Sequence, residues 1–401
     1  MILGHSVGLR HPMRLINLIP NAAFQFTWKT DNVGTSSNDQ ATLPIIISAS
    51  LDCVVDWGDT DGSTTTLNGS SSVGDLTHTY SGGAGTKNIS ISGTGINGFA
   101  FNNGGDKLKL LEISNTGNFD ITEDGTFYGC TNLTWTATDA PTITTTDLSS
   151  TFHNCSNFNG NITNWDVSNV TNMRQIFTSS FAFNQPLNNW DVSNVINMES
   201  VFGSATSFNQ PLNNWDVSSA TRMFFMFYNT AFDQPLNNWD TSSVTNMGYM
   251  FTLNSSFDQN ISSWDINQVT NFTQFMNGAT LSTVNYDLLL PAWGAQGAMS
   301  YSGTVDFGSS VYTLGGAAET ARTSLISKWG AITDGGGIAN AAFQFTWKTD
   351  NAGTSNDDQA TLPIIVSASL DCVVDWGDAD GSTTTLNSSS VAGDLTHTYS
   401  G

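Results

Sequence analysis

Three aspartates in the segment DWGDTDG have the residue type and spacing expected of metal ligands. Asp56, Asp59 and Asp61 lie at positions i, i+3 and i+5 beside a glycine turn. Carboxylate oxygens on a tight loop suit calcium, so the segment is a candidate calcium site. The alternative is a β-turn in which Asp and Gly satisfy backbone groups, because the spacing departs from the 1-3-5 calcium loop and no distal Glu follows. The same arrangement recurs at Asp375, Asp378 and Asp380.

Five further aspartates each follow a tryptophan, and the pairs recur every 24 or 25 residues. The aspartates are Asp166, Asp191, Asp216, Asp240 and Asp265. Stacked about 5 Å apart, bare carboxylates would repel one another. They therefore either bind cations or accept backbone N–H bonds as N-caps of helical turns. A serine two residues further on in four of the five repeats, with Asn267 in the fifth, favours the capping role.

The tryptophans themselves allow two interpretations. They are Trp165, Trp190, Trp215, Trp239 and Trp264. Exposed in a row, they would stack on sugar rings or insert into a partner; buried, they would form core. Each repeat has one tryptophan at the same phase, beside alternating apolar neighbours. This pattern favours burial of the tryptophans in the core. The polar segments GSATS, YNTA and TLNSS differ between repeats and are the better candidates for specific contacts.

Four cysteines are present, too few for a disulfide scaffold in a chain of this length. Cys130 and Cys155 are 25 residues apart and share one phase, so stacking would bring them within disulfide range. A stacked pair of buried thiols is favoured over a bond, and the compartment would decide between them. Cys53 and Cys372, each in LDCVVDW, are predicted to be buried strand residues.

Catalytic patterns do not stand out. Apart from the candidate calcium site, no nucleophile elbow, phosphate loop or metal-ligand cluster stands out. Only four glutamates are present, and no carboxylate pair is singled out for glycoside cleavage. The interpretation is a protein that is not an enzyme, with no catalytic residues and no cofactor beyond the calcium considered above.

Composition excludes several partner classes. The 401 residues carry 34 acidic and 11 basic side chains, a net charge of −23, which repels nucleic acid and anionic membranes. No apolar run reaches the roughly 18 residues that span a bilayer. Polar bulk from Asn, Thr, Ser and Gly is typical of an extracellular or virion-surface protein. The first 20 residues do not resemble a secretory signal, which a virion released by lysis would not need.

A long repeat has a period of 319 residues. Residues 21–82 recur as 340–401 with eight substitutions. The first copy continues into AGTKNISISG, which alternates like a half-buried strand, and the second copy stops before it. Either the chain is part of a longer tandem array, which we favour, or another chain donates the missing strand and self-association builds a filament.

A short repeat of 24 or 25 residues fills the middle of the chain. Its first phase is Phe127, Phe152, Phe177, Phe202, Phe227, Phe251 and Phe275. The apolar spacing of Val195, Met198, Val201 and Phe202 predicts a short helix or 3₁₀ turn, whereas PLNNWDVS reads as extended or turn-like. Such units cannot bury an apolar face alone, so they indicate a solenoid stacked at about 4.8 Å per repeat.

These motifs resemble two known families. FNQPLNNW and WDVSNVTNM with a following MF or IF resemble BspA-like leucine-rich-repeat surface proteins over about residues 105–336, although Met, Phe and Trp stand where Leu is usual. VDWGD followed by HTYSGGAGTKNISISG resembles a PKD-type immunoglobulin-like sandwich over 21–93 and again over 340–401. YDLLLPAWGAQ and AAETARTSLISKWGAITDGG resemble the closing cap of such repeats and imply two helices and a strand.

The predicted fold class is mixed, mainly β. We divide the chain into an N-terminal segment (1–19), a PKD/immunoglobulin-like sandwich (20–104), a BspA-like solenoid (105–280), its C-terminal helical cap (281–336) and a truncated second sandwich (337–401). The structural ladder of the solenoid is predicted to comprise the five tryptophans with Phe177, Phe202, Phe227 and Phe251.

The resemblances imply a non-enzymatic surface module that mediates adhesion or recognition. The favoured function is a structural or adhesive fibre on a virion or in the extracellular space. A bacterial cell-surface adhesin is the alternative, and a secreted glycan-active enzyme is disfavoured. Expected partners are a surface protein or glycan receptor, or further copies of the chain in a fibre or filament, without nucleic acid or membrane insertion.

Overall fold

The computed structural model describes residues 23–69, 75–297 and 300–339, together with the backbone of four strands beyond residue 340. The chain divides into two compact units, Met1–Ala339 and Asn340–Gly401. The described residues form a mainly β structure with two helices, which confirms the mixed, mainly β class. The predicted N-terminal segment (1–19) lies outside the described residues.

The first unit begins with a six-stranded sheet in the order β4-β3-β6-β1-β7-β9. Its strands are β1 (Phe24–Lys29), β3 (Ile45–Asp56), β4 (Thr64–Asn68), β6 (Thr86–Phe99), β7 (Leu110–Asn115) and β9 (Thr134–Trp135). Strands β2 (Gln40–Leu43) and β5 (Leu76–Thr79) pair separately and antiparallel. In β1 the alternating sequence FQFTWK buries Phe24, Phe26 and Trp28, as a strand with one core face requires.

The first sheet continues into the short repeats without a break at residue 104. Strand β7 pairs antiparallel with β1 and parallel with β9, so the sheet changes from antiparallel to parallel where the repeats begin. The core is also continuous, since Phe24 stacks on Phe119 at 4.3 Å and Phe119 on Phe127 at 5.9 Å. Strands β8 (Asp120–Ile121) and β10 (Thr142–Ile143) add a second parallel pair.

A buried ion pair fixes this junction. Lys109 Nζ lies 3.7 Å from an Asp106 carboxylate oxygen, and both side chains are fully buried. Asp106 accepts the backbone N–H groups of Thr35, Ser36 and Thr42 at 2.8–3.1 Å. Lys109 donates to three backbone carbonyls of residues 36–40, so both charges are satisfied by the loop between β1 and β2.

Successive short repeats are joined by backbone hydrogen bonds of parallel register. Parallel bridges connect equivalent positions in six consecutive repeats, Asp147, Asn172, Asn197, Arg222, Asn246 and Asn271. From each bridge onward, the N–H of every second residue donates to a carbonyl of the next repeat. In one repeat the donors Met198, Ser200, Phe202 and Ser204 reach carbonyls of Arg222, Phe224, Met226 and Tyr228 at 2.7–3.1 Å.

The prediction of a short helix or 3₁₀ turn along the apolar stripe is wrong, because these segments are successive tight turns. Ser200 and Ser204 have left-handed φ values of 56° and 58°, which interrupts any right-handed helix every fourth residue. The remaining N–H groups close i→i+3 turns, as from Gly203 to Ser200. The segment PLNNWDVS is turn-like, as expected. The strand-like hydrogen bonds between repeats are formed instead by the apolar segment that includes Met198 and Phe202.

Phenylalanine rings form the centre of the core between repeats. Phe152, Phe177, Phe202, Phe227 and Phe251 are fully buried and stack with ring centroids 5.6–5.8 Å apart and planes within 11°. The first-phase assignment of Phe275 is wrong by one residue. The Phe275 carbonyl accepts the Phe251 N–H, just as the Met250 carbonyl accepts the Phe227 N–H one repeat earlier. Phe275 therefore occupies the position equivalent to Met250, and its ring meets Phe251 edge-on at 81°.

The two helices predicted after the repeats are present. Helix α1 (Thr283–Gly294) begins at Ser282, whose hydroxyl accepts the Asn285 N–H, and α2 (Ala317–Trp329) packs against it. Instead of one strand, four short strands accompany them. Strand β11 (Gly303–Asp306) pairs parallel with β13 (Gly330–Thr333), and β12 (Val311–Thr313) with β14 (Gly336–Ile338). Met276 N–H donates to the Asp306 carbonyl at 2.9 Å, which carries the repeat hydrogen-bond pattern into this region.

The second unit contains the strands β15 (Gln359–Ile364), β16 (Cys372–Asp375), β17 (Thr383–Leu386) and β18 (Gly393–Thr398). β15 pairs antiparallel with β18, and β16 with β17. The first copy pairs β2 with β5 and β3 with β4 in the same way, as expected from the repeated sequence. Asp378 and Asp380 lie outside the described residues.

Removing one ring from the phenylalanine stack should destabilise the chain. Phe202 packs between Phe177 and Phe227 and lies 3.8 Å from the Phe208 centroid. We expect Phe202→Ala to lower the free energy of unfolding by about 3–5 kcal/mol, because the repeats above and below cannot collapse into the cavity. Urea denaturation followed by tryptophan fluorescence measures the loss.

Ile196→Thr is the matched control, because Ile196 is 50% exposed and Thr occupies the equivalent positions 171 and 221. It should change stability by less than about 0.5 kcal/mol. If both variants unfolded at the same urea concentration as the unchanged chain, the phenylalanine stack would not be the core of the repeats.

Candidate functional site

The three aspartates of the DWGDTDG segment each bind a separate part of their own turn. Asp56 accepts the Gly58 N–H at 2.9 Å, Asp59 the Thr60 N–H at 3.1 Å, and Asp61 the Ser63 N–H at 2.9 Å. The Ser63 N–H and the Ser81 hydroxyl lower the pKa of Asp61. No group of three His, Cys, Asp or Glu side chains suited to a metal ion occurs in the described residues. The geometry matches the β-turn alternative and gives the calcium expectation no support.

The WGD and HTY motifs form one cluster. The His78 ring stacks on Trp57 with centroids 4.7 Å apart, and its Nε2 lies 3.4 Å from an Asp59 oxygen. The Tyr80 hydroxyl donates to the Trp57 carbonyl at 3.2 Å, and burial raises the pKa of Tyr80. The cluster joins β5 to the turn after β3, which is a structural role.

The tryptophan ladder (Trp165, Trp190, Trp215, Trp239 and Trp264) lies in the core, at 0–4% exposure. From the second member onward, each indole N–H donates to the backbone carbonyl of the Leu or Ile in the preceding repeat. The acceptors are Ile162, Leu187, Leu212 and Leu236, at 2.9–3.1 Å. Buried indoles need such a partner, so the ladder is a stacking device and not an exposed row for ligands.

The aspartates that follow the tryptophans accept hydrogen bonds two residues on. Asp191 Oδ1 accepts the Ser193 N–H at 3.1 Å and its hydroxyl at 2.6 Å, and Asp216 does the same with Ser218. Bonding to the Ser242 hydroxyl and N–H lowers the pKa of Asp240. These are Asx turns rather than helix N-caps, because no helix follows. Each carboxylate is occupied by its own loop.

An amide ladder that sequence reasoning missed connects the FNQ segments. Asn184 Oδ1 accepts the Asn209 N–H at 3.0 Å and the Gln210 Nε2 at 3.1 Å, and Asn209 does the same for Asp233 and Gln234. The complete ladder is Asn159, Asn184, Asn209, Asp233 and Asp258. The repeated letters N-Q before Pro were the available signal, since an amide kept at one phase can bond only along the stack.

Cys130 and Cys155 are free, fully buried thiols. The Cys155 thiol donates to the Phe127 carbonyl at 3.0 Å. Burial raises the pKa of both thiols. Cys53 is likewise a free, buried thiol on β3.

The variable segments are only partly available for contacts. Ala205 in GSATS, Thr230 in YNTA and Asn254 in TLNSS point inward and are buried. Asn254 Nδ2 donates to the Thr230 hydroxyl at 3.2 Å and the Phe232 carbonyl at 3.0 Å. The outward residues of the preceding turns also differ between repeats, and there Arg174 pairs with Glu199 at 3.1 Å.

An open hollow of about 400 Å³ lies on the surface beside Trp215 and Val217. Asn213, Asn214 and Asn238 line it with Asp216 and Asp240. Both carboxylates already accept the N–H groups of Ser218 and Ser242 at 3.0 Å. The hollow therefore offers amide groups and turn carboxylates, without a nucleophile or a paired acid and base.

One family matches the middle of the chain. Residues 123–231 and 226–302 are similar to the family described as "Mycoplasma protein of unknown function, DUF285", and together these matches cover less than half of the chain. Comparison with curated proteins finds no match, and neither does comparison with solved structures. Both matched segments lie within the short repeats and the start of the region that closes them.

Neither α1 nor α2, the two helices of the described residues, is long and apolar enough to cross a bilayer.

The amide ladder should contribute to stability through its acceptor oxygens. Asn209→Ala removes the partner of the Asp233 N–H and the Gln234 amide, and we expect a loss of about 1–3 kcal/mol in the free energy of unfolding. Asn209→Asp keeps an acceptor, as Asp233 does for Asp258 and Gln259, and should be close to neutral at pH 7. Thermal and urea unfolding of the two variants provide the comparison, and equal stability would show that the ladder is incidental.

The buried thiols should resist alkylation until the chain unfolds. Treating the native chain with iodoacetamide at pH 8 should leave the peptides containing Cys130 and Cys155 unmodified, because burial keeps both thiols protonated and inaccessible. Unfolding in urea without reductant should expose both to the reagent, as mass spectrometry would detect. Peptides that became reactive only after reduction would instead identify a disulfide.

Proposed function

We propose that this chain is a non-enzymatic structural and adhesion protein of the extracellular space or a virion surface. In this proposal a PKD-type immunoglobulin-like sandwich leads into a BspA-like leucine-rich-repeat solenoid, and the repeated module presents outward faces to a surface protein or glycan receptor. Self-association into a fibre belongs to the same proposal. The fibre on a virion is the first candidate.

The observation that carries the proposal is how the recurrent polar residues are used. The Asp of each WD pair is bonded in its own turn, the Asn or Asp of each FNQ segment to the next repeat, and each indole from Trp190 on to the preceding repeat. Residue types that could do chemistry thus serve the turns and the stacking of the repeats, while the outward turn residues vary. Such a division supports a scaffold with a variable contact surface.

A bacterial cell-surface adhesin is the second candidate, and the family match favours it. The matching family is named for proteins of Mycoplasma, which are bacteria, and its function is given as unknown. A cellular source would make the repeats part of an adhesin instead of a virion fibre.

Surface labelling of intact particles tests the proposal. Antibodies raised against the full chain should label intact virions or intact cells of the source by immunogold microscopy, and which of the two is labelled decides between the candidates. A parallel turnover assay of the full chain on a polysaccharide panel should release no reducing sugar. Labelling that appears only after lysis, or sustained turnover, would refute the proposal.

A further inference from the structure

Four aromatic side chains form a patch on the outward turns of two neighbouring repeats. The aromatic patch comprises Phe224, Phe225, Tyr228 and Tyr249, all half-buried. Phe225 stacks on Tyr249 with centroids 4.5 Å apart, and Phe224 and Tyr228 meet Phe225 edge-on at 4.3 and 5.0 Å. The four rings are therefore one continuous surface with partly exposed faces and edges.

The backbone at this patch is strained by the aromatic residues. Phe225 and Tyr249 have φ values of 58° and 55°, in the left-handed region that bulky side chains avoid. The same position in other repeats holds smaller or more flexible side chains, at Ser150, Gln175, Ser200 and Gln274. Stacking of the repeats does not require aromatic rings here, so the strain points to a role outside folding.

A glycine in the next repeat makes room for the Phe224 ring. A Cβ atom on Gly248 would lie 3.0 Å from two ring carbons of Phe224, so only glycine lets that ring lean over the next repeat. The Phe224 ring therefore packs closely on the backbone of the next repeat. This contact fixes the position of one ring of the patch.

The chemistry of the patch suits a ligand with both apolar faces and hydroxyl groups. Among the described residues, the Tyr228 and Tyr249 hydroxyls have no hydrogen-bond partner in the protein. Aromatic faces with free hydroxyls match the C–H faces and hydroxyls of a pyranose ring.

The charge of the chain and the small area of the patch argue against a polyanion or a protein as the ligand. The patch contains no ionised side chain, although Arg222 is exposed two residues before Phe224, and the chain carries a net charge of −23 that disfavours polyanions. An aromatic side chain has about 150–250 Å² of surface in all. Four half-buried rings therefore present well under the roughly 800 Å² per partner of a stable protein interface.

We infer that the aromatic patch is a binding site for neutral carbohydrate, with pyranose rings packed on Phe225, Tyr228 and Tyr249. This inference rests on the proposed recognition role and names its ligand class. In the proposed fibre, many copies of this weak site would be held together and could bind one polysaccharide of repeating sugar units.

Affinity electrophoresis of the full chain tests the inference. The gels contain mixed-linkage β-glucan, mannan, dextran or galactan as neutral probes, and alginate or polygalacturonate as anionic probes. We expect retardation by at least one neutral polysaccharide and by neither polyanion. The double variant Phe225→Ser with Tyr249→Ser should bind that polysaccharide at least about tenfold more weakly.

The variants separate binding from folding. Serine already occupies the same left-handed position at Ser150 and Ser200, so the double variant should keep or raise the melting temperature. Ile196→Thr removes an exposed apolar side chain outside the patch and should leave retardation unchanged.

Three outcomes would overturn the inference: no retardation by any neutral polysaccharide, retardation only by the polyanions, or full retardation of the double variant. Immunogold labelling of intact particles is independent of the patch. Labelling of intact particles without carbohydrate binding would therefore refute this inference and leave the proposed surface role intact. Labelling only after lysis would refute the proposed surface role.

Discussion

Backbone hydrogen bonds from alternate residues of one repeat to the next are the constraint on which the rest of the structure depends. They require parallel register, and that register places equivalent side chains directly above one another. Phenylalanine meets phenylalanine at 5.6–5.8 Å, and each indole from Trp190 on finds a carbonyl of the preceding repeat. The intervening N–H groups close tight turns, which explains why no helix forms on an apolar stripe of helical spacing.

The same constraint explains the composition. Turns at every fourth residue need left-handed backbone, which Gly, Asn and Ser tolerate better than branched or bulky residues. Stacked amides can satisfy one another along the ladder, whereas stacked carboxylates repel one another. The carboxylates after the tryptophans instead accept hydrogen bonds within their own turns. A chain built this way accumulates Asn, Ser, Thr and Gly and carries only 11% charged residues.

Bulky residues at the left-handed turn positions are confined to side chains that point outward. Phe225 and Tyr249 adopt the left-handed conformation that the smaller Ser200 has in its own repeat. The core beneath them is unchanged, since Phe227 and Phe251 remain fully buried and stacked at 5.6 Å. A stack whose stability is held internally can change its surface one repeat at a time, which suits a protein whose proposed role is recognition.

The sequence alone determined the repeat period, the burial of one Phe and one Trp per repeat, the two closing helices and the β character of the first copy, because each depends on apolar residues recurring at a fixed phase. Only the tertiary structure decided which backbone groups pair between repeats. It also placed β7 and β9 in the first sheet across the expected boundary at residue 104, and shifted Phe275 by one position. The aromatic patch was not predicted from the sequence either, because its four residues belong to two repeats that become neighbours only through stacking. Periodicity specifies which side chains are buried, but hydrogen-bond direction and left-handed turns depend on the adjacent repeat, which a one-dimensional pattern does not contain.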